Sequence, residues 1–193
     1  PEDTSYRITV KREAEPGVPR GIVSNWLHDH ADTGATLKVA PPAGEFYLDE
    51  ESQRPVVLLS GGVGLTPMVS MLEAIVQSGK GRATWFIHGA RSGRVHAMRD
   101  HVKEQATRAG NVQVRTHYES PEATDVQGRD YDAAGHIDAE WIAHNTPTRE
   151  AIYYLCGPRA FLRAFVGGLA RKGVPLGHIR YEFFGPADEL LAG

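Results

Sequence analysis

The stretch Leu59-Ser60-Gly61-Gly62-Val63-Gly64-Leu65-Thr66-Pro67 decides how this chain folds. Before it runs Pro55-Val56-Val57-Leu58-Leu59, an unbroken apolar segment of the kind that forms a strand buried on both faces. After it, apolar spacing predicts a helix over 66–77. Gly62 and Gly64 carry no Cβ, so the backbone between the two elements can turn tightly and approach an anion closely. Thr66 reads as the helix N-cap and Pro67 as its first helical residue. The unpaired N–H groups and the dipole at such a helix start attract a phosphate. The spacing follows the G-x-G-x-x-G pattern except that Pro67 stands at the third glycine. No G-x-x-x-x-G-K-[ST] occurs, which disfavours a P-loop kinase or ATPase.

Outward from this loop the rhythm of strand, turn and helix repeats. Apolar runs predict strands over 84–88, 112–118, 151–156 and 179–184, and helices over 95–108, 138–144 and 159–172. Gly110 and Gly173 are the expected helix stops. Strands alternating with helices imply right-handed βαβ units. The fold class expected is α/β, with a doubly wound parallel sheet of five strands. Toward the N-terminus the texture changes at about residue 52. Tyr6-Arg7-Ile8-Thr9-Val10-Lys11-Arg12 alternates with period two and Thr36-Leu37-Lys38-Val39 is short and apolar, so both are expected to be strands. A short helix opens near Ser24, its expected N-cap. Two or three strands cannot close a barrel. Residues 1–52 are therefore expected to be an incomplete domain, and 53–193 the nucleotide-binding one.

Composition narrows the function classes. The 193 residues carry 21 Lys plus Arg against 24 Asp plus Glu. That near-balance argues against a dedicated nucleic-acid binder. A single cysteine, Cys156, excludes a disulfide framework and suits a reducing, cytoplasmic compartment. No apolar run is long enough for a membrane span. The first residues lack the basic and apolar parts of a signal peptide.

Further candidates fall at the carboxyl ends of the predicted strands, where open α/β sheets bind ligands. Cys156-Gly157-Pro158 ends one strand. Its thiol could pack against a planar ring or simply be a buried structural cysteine, and the residues leave both open. Tyr181-Glu182-Phe183-Phe184-Gly185-Pro186 ends the last strand. An aromatic there can stack on a flat cofactor and a carboxylate can tune charge or pass a proton, though composition alone favours a core aromatic beside a solvated acid. Arg91 stands where a dinucleotide fold commonly has the ribose-binding acid, which favours a 2′-phosphate. His28 and His30 point apart on a helix and are set aside as metal ligands. Glu119, Glu122 and Asp125 read as a solvated loop, and no G-x-S-x-G marks a hydrolase nucleophile.

Together the motifs resemble the ferredoxin–NADP reductase superfamily and, more closely, the reductase half of the flavohemoglobins. The glycine loop and Cys156-Gly157-Pro158 are common to the superfamily. His96-Ala97-Met98-Arg99-Asp100 and Tyr181 to Pro186 point to flavohemoglobins. The resemblance implies an NAD(P)H-dependent flavin oxidoreductase of the nitric oxide dioxygenase class, with residues 1–52 the C-terminal part of an incomplete antiparallel β-barrel that binds FAD. Gly61, Gly62, Val63, Gly64, Leu65, Thr66 and Pro67 would bind the NAD(P)H pyrophosphate. Cys156, Gly157 and Pro158 would border the nicotinamide. Val23 and Ser24 would hold the FAD pyrophosphate, and Phe183, Phe184, Gly185 and Pro186 would line the FAD, with Phe184 stacked near its ring. Glu182 would lie toward the electron path. The expected catalytic set is Cys156, Glu182 and Phe184. The electron acceptor implied is a haem b in a globin domain outside this chain, and no metal site is expected within it. The family leans to NADH, against the NADPH suggested by Arg91. Two alternatives remain: the reductase component of a multicomponent oxygenase, and an NAD(P)H-binding module without turnover.

Overall fold

The computed structural model describes residues 6–14, 17, 19–41 and 43–184. The chain forms two compact units, Pro1–Glu45 and Phe46–Gly193.

The second unit is built on six parallel strands: β1 (Val56–Gly61), β2 (Thr84–Ala90), β3 (Val112–Tyr118), β4 (Ala133–Ala134), β5 (Ile152–Gly157) and β6 (Ile179–Phe183). Their order across the sheet is β4-β3-β2-β1-β5-β6. The glycine-loop strand β1 thus lies between β2 and β5. Side chains alternate along each strand, so two cores form. On one face Val56, Leu58, Phe86 and Tyr154 pack under helix α2 (Leu65–Ser78) and Val102 of α3 (Arg99–Ala109). On the other, Val57, Leu59, Ile87 and Tyr153 pack under Ile142 of α4 (Ala139–Asn145) and Leu162, Phe165 and Leu169 of α5 (Arg159–Arg171). Each such side chain contributes about 1.5–3 kcal/mol when fully buried. Burial on both faces explains why β1 and β5 read as continuous apolar runs.

Residues 46–54 belong to this unit, so the boundary falls a few residues before the compositional change at 52. Phe46 and Leu48 pack on the first core. The buried Arg82 guanidinium donates to the carbonyls of Arg54 (2.6 Å) and Asp49 (2.8 Å), and Asp49 N–H donates to the Tyr154 hydroxyl (2.9 Å).

Several expectations are corrected. A sixth strand, the two-residue β4, extends the expected five because residues 119–132 return to the sheet edge. The helix expected over 95–108 starts only at Arg99. Residues 93–95 form a 3₁₀ turn, and Met98 takes a left-handed conformation (φ 56°) at the helix start. The turn brings the His96 imidazole to the Tyr118 hydroxyl (3.0 Å), a tertiary contact that overrides local helix preference.

In the first unit, helix α1 (Ile22–His30) is present. The strands expected at 6–12 and 36–39 are not: neither joins a ladder among the described residues. An alternating pattern makes a strand only when a neighbour takes up its backbone hydrogen bonds.

Candidate functional site

The loop after β1 is shaped by its glycines. Gly62 is left-handed (φ 55°) and exposed, and a Cβ there would meet nothing within 4 Å. Gly64 is the opposite case: a Cβ would overlap the carbonyl of Cys156. Gly61 faces the Phe161 ring and Pro158, and Gly157 faces Phe161. The two loops leaving adjacent strands β1 and β5 are therefore packed backbone to backbone, as the spacing of their glycines requires. Only Gly62 opens outward.

The chain enters α2 through a 3₁₀ turn, Gly62–Gly64, with Gly64 at the N-cap and no side-chain cap. Thr66 is thus inside the first turn rather than capping it, because the turn advances the helix to Leu65. Pro67 also lies in the first turn, where a missing N–H costs nothing. Val63, Thr66 and Pro67 are half-buried and Leu65 is buried. Helix α5 starts after Pro158, likewise without a side-chain cap. Two helix starts without side-chain caps thus open on the same sheet edge, where the positive ends of the helix dipoles favour an anion such as a pyrophosphate.

Beneath the loops, register aligns Glu182, Cys156, Ser60, His88 and Thr116 in one row across β6, β5, β1, β2 and β3. Cys156 is fully buried; burial, and then the charge of Glu182, pushes its thiol up to about 12. It is a neutral packing group at neutral pH, not a nucleophile. Ser60 Oγ and His88 Nδ1 are 2.9 Å apart. Burial, and then the nearby His96, lowers His88 to about 3, so its ring is neutral. Its Nε2 is buried with no partner among the described residues. The His88 and His96 rings lie 4.7 Å apart, and His96 reaches Tyr118, whose ring stacks on Tyr131. No pattern in the sequence marks this chain of rings. Its members are far apart along the chain, and single histidines carry no spacing signal.

Arg91 is exposed just past β2, and its carbonyl accepts from Ser120 N–H (2.9 Å). The following residues meet the 119–132 loop. Glu122 Oε1 accepts from Ser92 Oγ (2.9 Å) and Arg94 Nε (3.1 Å), and Asp125 Oδ2 accepts from Gly93 N–H (3.1 Å). These carboxylates, expected to be merely solvated, are fixed partners of the segment after β2. Beside them is an open cleft of about 630 Å³, lined by residues that include Arg94, Arg99, Asp125 and Asp130. Asp130 is buried between Arg99 (2.8 Å) and Arg129 (2.7 Å). The Arg129 hydrogen bond above all holds its carboxyl well below the usual range.

The expected flavin residues are divided between the units. Val23 is 70% exposed. Ser24 does not cap α1, whose N-cap is Gly21. Its hydroxyl instead donates to Gly21 O (3.4 Å) and accepts from Glu13 N–H (3.2 Å), because the chain before α1 folds back onto the helix start. Phe183 is half-buried against the second core, Glu182 is half-buried and Phe184 is 44% exposed, just beyond the end of β6. Gly185 and Pro186 lie outside the described residues. No group of three or more potential metal ligands occurs among the described residues, and no helix there is long and apolar enough to cross a membrane.

Known proteins place this geometry. Residues 58–166 match the family model for the oxidoreductase NAD-binding domain. A flavohemoprotein of Xylella fastidiosa (strain Temecula1) is 44% identical over 193 residues, which are 100% of this chain and 46% of that protein. The chain thus spans about half the length of the curated relatives it matches. The flavohem-like FAD/NAD-binding domain of a nitric oxide dioxygenase from Vibrio cholerae superposes with a TM-score of 0.78 at 31% identity, covering 92% of this chain and 70% of that one. A flavohemoglobin from Malassezia yamatoensis, solved with bound FAD and heme, superposes with a TM-score of 0.60 at 26% identity, covering 70% of this chain and 33% of that one. The chain belongs to the oxidoreductase NAD-binding domain family and, within it, to the FAD- and NAD-binding reductase region of the flavohemoproteins.

Proposed function

We propose that this chain is the reductase region of a longer nitric oxide dioxygenase, in which hydride from NAD(P)H reaches FAD and single electrons pass to a haem b in a globin domain. The observation that carries the reading is the open Gly62 corner, set between two uncapped helix starts at the carboxyl edge of the sheet. A pyrophosphate suits that corner: there is space where a Cβ would stand, beside the start of α2, whose dipole favours an anion.

In this reading Gly61 to Pro67 hold the dinucleotide phosphates, and Arg91 lies near the adenosine ribose. Cys156, Gly157 and Pro158 form the floor beneath the nicotinamide. A neutral, buried thiol keeps that floor apolar and excludes competing nucleophilic chemistry. Val23 and Ser24 offer backbone N–H groups at the α1 start to the FAD phosphates, and Phe183, Phe184, Gly185 and Pro186 line the flavin. The flavin, when bound, supplies the conversion of a two-electron donor into single electrons. Glu182 adds negative charge beside Cys156, on the side from which electrons would leave. The first unit contributes to the flavin domain and the second to the nucleotide domain. A cytoplasmic location suits the single reduced cysteine.

An anaerobic titration of the chain, supplied with FAD and then NADH or NADPH, tests the reading. Saturable flavin binding followed by nucleotide-driven bleaching supports it. A second reading, a nucleotide-binding module without flavin reduction, draws on the absence of strand ladders among the described residues of the first unit. Nucleotide binding without FAD retention would favour that alternative.

A further inference from the structure

The segment after β2 is where dinucleotide folds tell a ribose 2′-hydroxyl from a 2′-phosphate. Here it reads Arg91-Ser92-Gly93-Arg94, with a hydroxyl, a backbone N–H and two guanidinium groups, a set suited to a phosphate. Three of these donors are already taken. Glu122 accepts from both Ser92 Oγ and Arg94 Nε, and Asp125 accepts from Gly93 N–H. Asp125 also receives the Glu122 N–H (2.7 Å), so the two acids are braced on each other. Ser92 is buried, and a Cβ at residue 93 would overlap the Asp125 carboxylate, so glycine there admits it. Hydrogen bonds from Arg94 first and then Ser92 hold the Glu122 carboxyl below its ordinary range, so it stays ionised.

Resting on the proposed nucleotide site, we infer that Glu122 and Asp125 take up the donors a ribose 2′-phosphate would use and so set the site for the dinucleotide that lacks that phosphate. A 2′-phosphate brings nearly two negative charges. It would have to displace Glu122 from Arg94 and remain beside two carboxylates. Discrimination built on repulsion and on pre-filled donors costs the unphosphorylated ligand nothing. Glu122, rather than Arg91, is then the positioning residue for cofactor choice.

Titration calorimetry of the purified chain with ADP-ribose and with 2′-phospho-ADP-ribose tests this without flavin or turnover. The wild-type chain should bind ADP-ribose more tightly by about tenfold or more. Glu122→Gln should tighten only the phosphorylated probe, by roughly tenfold, as Arg94 is released. Adding Arg94→Ala should reverse that gain. Retained ADP-ribose affinity in each variant reports an intact site, and Asp125→Asn provides a second test of the same ratio. An unchanged ratio in Glu122→Gln, with ADP-ribose still bound, overturns the inference alone. So does a wild-type preference for the phosphorylated probe. Failure of the wild-type chain to bind either probe overturns the nucleotide site and this inference with it.

Discussion

The carbonyl oxygen of Cys156 occupies the space in which Gly64 would carry a side chain. The two residues belong to loops leaving adjacent parallel strands, and the contact ties the start of α2 to the end of β5. Any substitution at Gly64 therefore strains the fold before it reaches a ligand. Gly64→Ala should lose about 2 kcal/mol or more, because backbone cannot move aside as a side chain can. A denaturant midpoint that falls together with nucleotide affinity would bear this out. An unchanged midpoint would mean the loops are free to separate.

Gly62 separates binding from folding. Its Cβ would point into open space, so the cost to stability is only that of a left-handed alanine, about 1 kcal/mol. That Cβ would nevertheless enter the proposed pyrophosphate corner. Gly62→Ala should weaken ADP-ribose binding by at least tenfold with a small change in midpoint. Full affinity in this variant would move the phosphates elsewhere.

Cys156 should be chemically silent. Its thiol is fully buried and pushed up to about 12, so native protein should resist a disulfide reagent that labels the unfolded chain at once. Cys156→Ser would place a hydroxyl where no partner is assured, at a cost of about 1–3 kcal/mol. Rapid labelling under native conditions would contradict the burial.

His88 gives the fold a pH dependence. Its folded value is lowered to about 3, against 6.5 in a free histidine, so between those limits the unfolded state binds more protons. Stability is thus fully present above about pH 6.5 and declines as pH falls toward 3. The slope from this one residue is at most about 1.4 kcal/mol per pH unit. His96, lowered to about 4 chiefly by burial, acts in the same direction. Unfolding midpoints from pH 7 to 4 should fall less steeply in His88→Phe than in the wild type, even if that variant is less stable throughout. Parallel curves would show that His88 carries no part of the slope.

Arg82 should anchor residues 46–54 beneath the sheet. Lysine cannot reach the Arg54 and Asp49 carbonyls with one fixed fork. Arg82→Lys should cost about 1–3 kcal/mol and raise hydrogen exchange at residue 49 and its neighbours. Protection equal to the wild type would assign the tether to Phe46 and Leu48 instead.

The parallel sheet was legible because β1 and β5 are buried on both faces and so are written in runs of apolar residues. The glycine loop was legible because close backbone approach and positive φ exclude other residues, and that requirement shows in the residue type itself. Legibility failed where an element depends on a partner distant in sequence. Tyr6-Arg7-Ile8-Thr9-Val10 has a strand's pattern, yet a strand exists only through a neighbour's hydrogen bonds. Val95-His96-Ala97-Met98 has a helical pattern, yet His96 turns aside to Tyr118. Ser24 and Thr66 are good capping residues, yet the chain before each enters its helix earlier.

Local composition and periodicity thus determined the βαβ order, the position of the phosphate-type turn and the strand edge at which a ligand can lie. Those properties depend on the backbone preferences of neighbouring residues. Only the folded chain decided that Cys156 is a buried, unreactive thiol, that His88, His96 and Tyr118 join, and that Glu122 and Asp125 reach Ser92, Gly93 and Arg94. Each of these rests on burial or on a charge brought from a distant segment, and burial and charge proximity exist only once the chain has packed.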